Sequence, residues 1–549
     1  MIIRNFKNWR LVVVASLAFL TISTTVKTDN NDYFDISKNI EIFTNLYKEL
    51  NTYYVDQLDP STLMRTGIDA MLESLDPYTN YISETEIETF RYITEGRYNG
   101  IGAKLETIDE FPTVMEPYKD SPADKAGLKA GDQITEVDGK SARNKTSDEL
   151  NEILKGFPGT SIDLTVNRPG SRKQLNITLV RDQVVVPSVP YYGMVNDEIG
   201  YVALTIFTRN AGREVADAFR ELKAENPNLK GLIFDLRGNP GGLLNEAVNI
   251  SNIFIPKGEV VVTTKGKVTD WDRSFKTLNQ PFDTEMPLVV LINGKSASAS
   301  EIVSGVMQDL DRAVLMGQRS YGKGLVQNTR DVGYNSRVKL TTAKYYIPSG
   351  RCIQSVRYED GEPVNIPDTQ RATFRTRNGR TVLDGGGVHP EVTIPMLTDR
   401  EIIQALLDQH MIFHFATNYT LENPAVEDIA NFNLPDWNAF LNFLKEQNFS
   451  FETASEQHLA QLKASAEAEN YTLDAQIQAL DNAIEKAKEN ELEASKEVII
   501  DLIEKEIASR FDYQRGRLQI GVRNDPEVAE AVKLLNNPAQ YQALISQSN

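Results

Sequence analysis

A single cysteine, Cys352, stands in a chain of 549 residues, so no internal disulfide can form and no cysteine-rich metal site exists. Cys352 lies in a strand-like stretch with no adjacent histidine and reads as a small core residue. Histidine is almost as scarce: His389, His410, His414 and His458 are the full set. The last three fall in helical, polar segments without a glycine loop. That leaves His389, between Asp384-Gly385-Gly386-Gly387 and Pro390, as the one imidazole for a Ser-His-Asp arrangement. Basic residues are outnumbered, 58 against 77, for a formal net charge of -19. With no cationic surplus to neutralise phosphates, the composition argues against nucleic acid as a partner. After residue 27 the composition is that of soluble globular domains, and the length calls for more than one core.

At the N-terminus, Arg4, Lys7 and Arg10 precede an apolar run over residues 11–20 that continues, less strongly, to residue 26. A positive flank followed by such a run is expected to be an export signal. No clean small-x-small cleavage site follows, so a retained membrane anchor is the alternative for residues 1–27. Either way the rest of the chain is expected outside the cytoplasm, in a bacterial periplasm.

Residues 35–96 read as a helical N-terminal domain, with Ile36, Ile40, Phe43, Tyr47 and Leu50 at helical spacing. Its second helix is expected to stop at Asp76-Pro77. Residues 97–183 change to short strands and glycine turns around Ser121-Pro122-Ala123-Asp124-Lys125-Ala126-Gly127-Leu128-Lys129-Ala130-Gly131-Asp132. Residues 190–397 alternate strands with helices, which predicts a mostly parallel sheet covered by helices, with function beyond the carboxyl ends of its strands. Three polar loops sit there: Arg237-Gly238-Asn239-Pro240-Gly241-Gly242, the segment from Gly294 to Ser300, and the loop around Gly322. Residues 398–549 read as polar helices without a strict heptad, a helical extension with nothing catalytic in it.

The segment Gly294-Lys295-Ser296-Ala297-Ser298-Ala299-Ser300-Glu301-Ile302 leads from a buried strand directly into a helix. A serine at a helix N-terminus can attack a carbonyl with an unpaired amide beside it for the oxyanion. The same residues can equally be caps, with Glu301 in the first turn. A base is found in Ser320-Tyr321-Gly322-Lys323-Gly324-Leu325-Val326-Gln327. A lysine between two glycines after an apolar strand is a candidate for desolvation, which lowers its pKa and lets the neutral amine take a serine proton. Gln327 is placed to hold that amine with its amide oxygen. An anion-binding lysine is the competing reading, although the pattern does not fit a phosphate-binding loop.

Two resemblances follow from these motifs. Residues 97–183 resemble a PDZ domain. That resemblance implies a carboxylate-binding loop of Tyr98, Asn99, Gly100, Ile101 and Gly102, which receives a peptide C-terminus by strand addition. The chain from about residue 60 to 397 resembles the carboxyl-terminal processing (tail-specific) serine peptidases. It does so through Leu75-Asp76-Pro77-Tyr78-Thr79-x-Tyr81, the PDZ run, Asp235-Leu236-Arg237-x-Asn239-Pro240-Gly241-Gly242, Ser296-Ala297-Ser298-Ala299-Ser300-Glu301-Ile302, and Tyr321-Gly322-Lys323-Gly324 with Gln327. The family's lysine lies 25 positions after its serine, a spacing that here selects Ser298 with Lys323. The resemblance further implies Gln327 as a catalytic-site glutamine, Glu301 as a supporting residue, and oxyanion amides from Ala299 and one glycine of the Gly241-Gly242 pair, Gly241 being favoured.

The fold implied is multidomain α/β, with a crotonase- or ClpP-like protease core beside the PDZ module. The activity implied is endoproteolysis of exported or envelope proteins near free C-termini through an acyl-enzyme, with no metal and no organic cofactor. The oligomeric state is left open, with the helical regions as its candidate surfaces. Two other functions fit the same sequence: a catalytically silent PDZ peptide-binding scaffold, and a serine hydrolase of small esters or cell-wall peptides.

Overall fold

A computed structural model describes residues 30–84, 86–359, 361–395 and 400–546. The expected export segment, residues 1–27, lies outside the described residues. The chain forms two compact units that divide between Ser74 and Leu75.

In the first unit, helix Asn30–Tyr53 is followed by helix Pro60–Glu73, with the Phe43 ring beside Gly67. Asp59 caps the second by accepting from the Thr62 amide at 2.7 Å, and Pro60 occupies its first turn. The Tyr47 hydroxyl donates to the Pro60 carbonyl at 2.7 Å.

Residues 75–96, grouped in the sequence with these helices, lie in the second unit. There, strand Asn80–Ile82 pairs antiparallel with strand Ser336–Tyr346. Helix Ile87–Glu95 leads through Gly96 into strand Arg97–Gly100, which pairs with Asp182–Val185.

Next in the chain comes a small sheet whose main path is Ala103–Ile108, Phe111–Pro117, Gln133–Val137, Ser161–Asn167 and Leu175–Val180. It closes over helix Ser147–Leu154, with Leu105, Val114, Ile134, Leu150, Ile162, Leu164 and Val166 in its core. Ala103–Ile108 lies at the edge of this sheet.

Residues 191–393 hold a six-stranded sheet in the order Tyr191–Met194, Ile199–Ala203, Gly231–Asp235, Leu288–Ile292, Val314–Gly317 and Val392–Thr393. Its first pair is antiparallel and the others are parallel. The continuous apolar run Leu288-Val289-Val290-Leu291-Ile292 is what a strand covered on both faces requires. One face, with Leu232, Phe234, Val290 and Ile292, packs on Phe219, Phe254, Ile302 and Val306 of the crossover helices. The other, with Ile233, Val289, Leu291 and Met316, packs on Val528, Leu534, Leu535 and Tyr541 of the last two helices. Burial of each such side chain is worth about 1.5–3 kcal/mol, so the C-terminal extension completes the core of the parallel sheet. The remainder of the extension has its own core around Ile403, Phe415, Phe440, Ile499 and Ile503.

A second, antiparallel sheet lies beyond the parallel one. Strands Leu325–Gly333 and Ser336–Tyr346 form its long hairpin, and Val260–Gly266 pairs with the latter. The lysine loop runs directly into this hairpin.

Candidate active site

Three loops meet at the carboxyl ends of neighbouring parallel strands. Leaving Leu288–Ile292, the chain turns through Asn293 to Ser298 before helix Ala299–Asp309 begins. Two of its serines are spent on the main chain. The Ser296 hydroxyl donates to the Leu236 carbonyl at 2.8 Å and that of Ser300 to the Asn239 carbonyl at 2.9 Å, both buried. Ser298 is only half-buried and lines a cleft. Its backbone sits at φ 54°, ψ -111°, a region that costs a non-glycine residue about 1–3 kcal/mol and persists only where the surroundings impose it. Here the Ser298 amide donates to Glu301 Oε2 at 2.8 Å, and its carbonyl accepts from the Ile302 amide at 2.9 Å and the Tyr345 hydroxyl at 3.2 Å.

Asn239 is the hub of the glycine loop. Its Nδ2 donates to the Leu204 carbonyl, its Oδ1 accepts from the Gly241 amide, and its carbonyl accepts from the Ala297 amide as well as Ser300. Gly241 has φ +97°, and a Cβ there would sit 2.7 Å from the Ala297 carbonyl oxygen and 2.9 Å from the Ala299 nitrogen. Only glycine allows this approach. The expectation that Gly241 offers its amide to an oxyanion is corrected by this geometry, because that N–H is already bonded to Asn239 at 2.8 Å. The amides of Gly242 and Ala299 have no hydrogen-bond acceptor among the described residues.

Glu301 ties the serine loop to the lysine loop. Its carboxylate is fully buried and accepts from the Ser298 amide (2.8 Å), the Lys323 amide (2.8 Å), the Gly322 amide (2.6 Å) and the Ser320 hydroxyl (2.6 Å). Burial pushes the carboxyl up, and these four donors oppose it. Tyr345 makes a second tie, since its buried hydroxyl also reaches the Lys323 carbonyl at 2.6 Å.

The Lys323 side chain stands in the same cleft as Ser298, with a pKa lowered to about 8. Burial is the main cause and the charge of Lys339 the next, while Glu301 and Asp76 pull the other way. Nζ lies 4.2 Å from the centroid of the Tyr78 ring. No hydrogen bond joins it to the Ser298 hydroxyl among the described residues. Nor does Gln327 hold it, as the sequence led one to expect: the Gln327 Nε2 donates to Thr341 Oγ1 at 3.2 Å. Thr341 in turn donates to Asp76 Oδ1, which also accepts from the Tyr78 and Thr79 amides. The Leu75–Tyr81 motif is thus the turn that sets Tyr78 against the lysine.

Ser298, Ala299, Gly241, Gly242, Lys323 and Gln327 all line one cleft of 840 Å³. His389 lies in a different cavity, with Arg380 and Glu391. Among the described residues no group of three or more His, Cys, Asp or Glu side chains is placed to hold a metal. Of the loop expected to bind a peptide carboxylate, Tyr98, Asn99 and Gly100 are strand residues paired with Asp182–Val185, which leaves Ile101 and Gly102 as the turn. Gly102 has φ +80°, and a Cβ there would meet Ser121 Cβ at 2.3 Å. Sequence reasoning gave no role to Tyr345, Lys339, Thr341 or Tyr78. The first three lie on the long hairpin, whose placement depends on a sheet that periodicity did not reveal.

The family models that match the chain agree with this architecture. Residues 198–361 match the family model "Peptidase family S41", residues 99–179 match "PDZ domain", and residues 402–535 match "Probable PDZ-protease, C-terminal helical domain". A carboxy-terminal-processing protease of Bartonella bacilliformis is 39% identical over 344 residues, 62% of this chain and 78% of the relative. A protein of Staphylococcus haemolyticus named "Probable CtpA-like serine protease" is 34% identical, covering 67% of this chain and 74% of its own. Among solved structures, a photosystem II D1 C-terminal processing protease aligns at 24% identity and a TM-score of 0.36, over 64% of this chain and 92% of that one. A PDZ domain joined to a peptidase core implies binding of peptide substrates, and the chain belongs to peptidase family S41, among the carboxy-terminal-processing serine proteases.

Proposed function

We propose that the protein is an endopeptidase in which Ser298 is the nucleophile and Lys323 its general base, cutting exported or envelope proteins near C-termini that the PDZ domain receives. The observation that carries this reading is Glu301. A single buried carboxylate binds the amides of both Ser298 and Lys323, so the two loops are held as one frame and only the lysine side chain has to move. Its nitrogen rests on the Tyr78 ring, a contact that favours the ammonium by about 0.5–2 kcal/mol. Loss of the proton frees the amine to turn within the cleft toward Ser298. Catalytic hydrogen bonds commonly tighten only when substrate binds.

The amine then takes the Ser298 proton as Oγ bonds to the scissile carbonyl carbon. The oxyanion is received by the amides of Ala299 and Gly242. Collapse breaks the C–N bond, and the lysine ammonium protonates the leaving amine. Water next attacks the ester, Lys323 taking its proton, and the returned proton restores the Ser298 hydroxyl. Tail recognition is supported by the free edge of Ala103–Ile108 beside the Ile101-Gly102 turn. An extracytoplasmic location, by export or by anchoring through residues 11–26, is proposed from the N-terminal charge and hydropathy pattern alone.

Cleavage of a tail peptide by Ser298→Ala and Lys323→Ala proteins tests the reading. Loss of turnover in both, with folding retained, is expected, and turnover retained by the lysine variant would refute the dyad. Tight tail binding without Ser298-dependent cleavage would instead mark a silent scaffold. Faster turnover of simple esters or muropeptides than of protein tails would mark the small-substrate hydrolase.

A further inference from the structure

The cleft that contains Ser298 and Lys323 has a wall from outside the peptidase core. Gln514 and Arg517 line it from helix Lys496–Asn524, and Glu116 lines it from the PDZ domain. That helix is broken at Asp512 (φ -134°, ψ 31°) and Tyr513 (φ 51°, ψ -146°). Gly516 allows the next turn to pack back, since a Cβ there would lie 2.7 Å from the Ala508 carbonyl oxygen.

The break turns several side chains onto the PDZ domain. The Tyr513 hydroxyl donates to Asp124 Oδ1 at 2.5 Å, and Asp512 lies 3.8 Å from the Lys119 ammonium. Arg517 donates through Nη1 to Glu116 Oε2 at 2.6 Å and through Nη2 to Glu506 Oε2 at 3.1 Å. The Glu116 side chain is 7% exposed. A carboxylate so buried needs its charged partner, which makes this the strongest of the contacts. Glu116 is cross-strand from Lys104, the second residue of the free edge strand and two residues past Gly102. The bridge therefore stands between the place where a peptide tail adds to the PDZ edge and the place where it is cut.

We propose that Arg517 is a positioning residue for peptide substrates: through Glu116 it fixes the tail-binding end of the PDZ domain against the Ser298 cleft, so that the C-terminal extension sets the distance between the bound carboxylate and the bond that is cleaved. This rests on the reading of Ser298 as nucleophile and of the PDZ edge as tail site. The extension is then part of the substrate-binding machinery as well as a cover for the sheet.

The test uses the full chain with Arg517→Gln, Glu116→Gln and the double variant, assayed on a tail peptide and on a short acyl ester that reaches only Ser298. The expected result is a KM for the tail peptide raised about fivefold or more in each single variant, with kcat within about twofold. The double variant should be no worse than Arg517→Gln alone, because the bridge to Glu116 is already gone there. Mass spectra of the products should show cuts spread over more positions than in the parent, kcat/KM for the ester should fall by less than that for the peptide, and Arg517→Lys should recover part of the KM. If Arg517→Gln fails to fold, Glu116→Gln alone carries the comparison. Parental KM and parental cut sites in the variants would overturn the proposal, as would equal losses on ester and peptide. A parent protein without Ser298-dependent turnover would instead overturn the catalytic reading on which it rests.

Discussion

Around Ser298 the main chain is tied down. One buried carboxylate collects three amides and a hydroxyl, Asn239 links the glycine loop to the serine loop, and Tyr345 joins the Ser298 and Lys323 carbonyls. Along Ala103–Ile108 of the PDZ domain, by contrast, the outer edge of the sheet has no paired strand among the described residues. The first region is complete before any peptide arrives, apart from one lysine side chain. The second, on the proposed reading, is completed by a peptide tail. Rigid placement serves charge development in a transition state, which tolerates little reorganisation. An unpaired edge serves recognition, because main-chain hydrogen bonds accept many sequences. Changes in the first region should strike kcat, and changes in the second should strike KM.

The largest effect that could break this contrast comes from the two side chains proposed to react. Ser298→Ala and Lys323→Ala are each expected to lower kcat on a tail peptide by about 10⁴-fold or more, with unchanged thermal unfolding and unchanged binding of the peptide. A fall confined to KM would show that the site and the groove are not separate.

Glu301→Ala is expected to come next. It leaves the Ser298, Gly322 and Lys323 amides without their acceptor, at about 1–3 kcal/mol for each group that stays buried. A loss of kcat of about 10²-fold with a clear drop in Tm is the expected pair of readings. A Tm drop with parental kcat would make the carboxylate a structural brace only.

The pH profile sharpens the same point. Burial and the neighbouring Lys339 hold Lys323 at about 8, and in the proposed mechanism the amine reacts only when neutral. Activity should therefore rise with pH up to about 8 and level off above it, falling about tenfold for each unit below. A flat profile from pH 6 to 8 would remove the lysine as base. Lys339→Gln takes away a like charge, which raises the pKa of Lys323. The acid limb should move to higher pH, with a several-fold lower rate at pH 7.

The smallest effect is expected in the groove. Gly102→Ala forces a Cβ to within 2.3 Å of Ser121 Cβ at a positive φ, a strain of about 1–3 kcal/mol confined to the PDZ turn. KM for a tail peptide should rise a few-fold while kcat on a short ester stays constant. A matching fall in ester turnover would mean that the PDZ turn also shapes the catalytic loops.

Much of the framework was legible beforehand because it is local. The apolar strand Leu288–Ile292, the helix from Ala211, and the glycine and serine loops after successive strands follow from periodicity and turn chemistry. Ser298, which the motif spacing singled out, is half-buried beside two serines whose hydroxyls are spent.

What the sequence determined by itself was the set of loops, their order along the chain and an acidic charge balance, since each depends on residues within a few positions or on composition alone. The tertiary structure decided which groups in those loops are already engaged. Gly241 and Gly242 are indistinguishable as letters, and only the fold turns one amide onto Asn239 and leaves the other open. Gln327 answers to Thr341, Lys323 to Tyr78, and Glu116 to Arg517, 401 residues away. Such pairings arise where distant strands and helices close on one another, and that closure is set by the burial of whole faces, which no local pattern encodes.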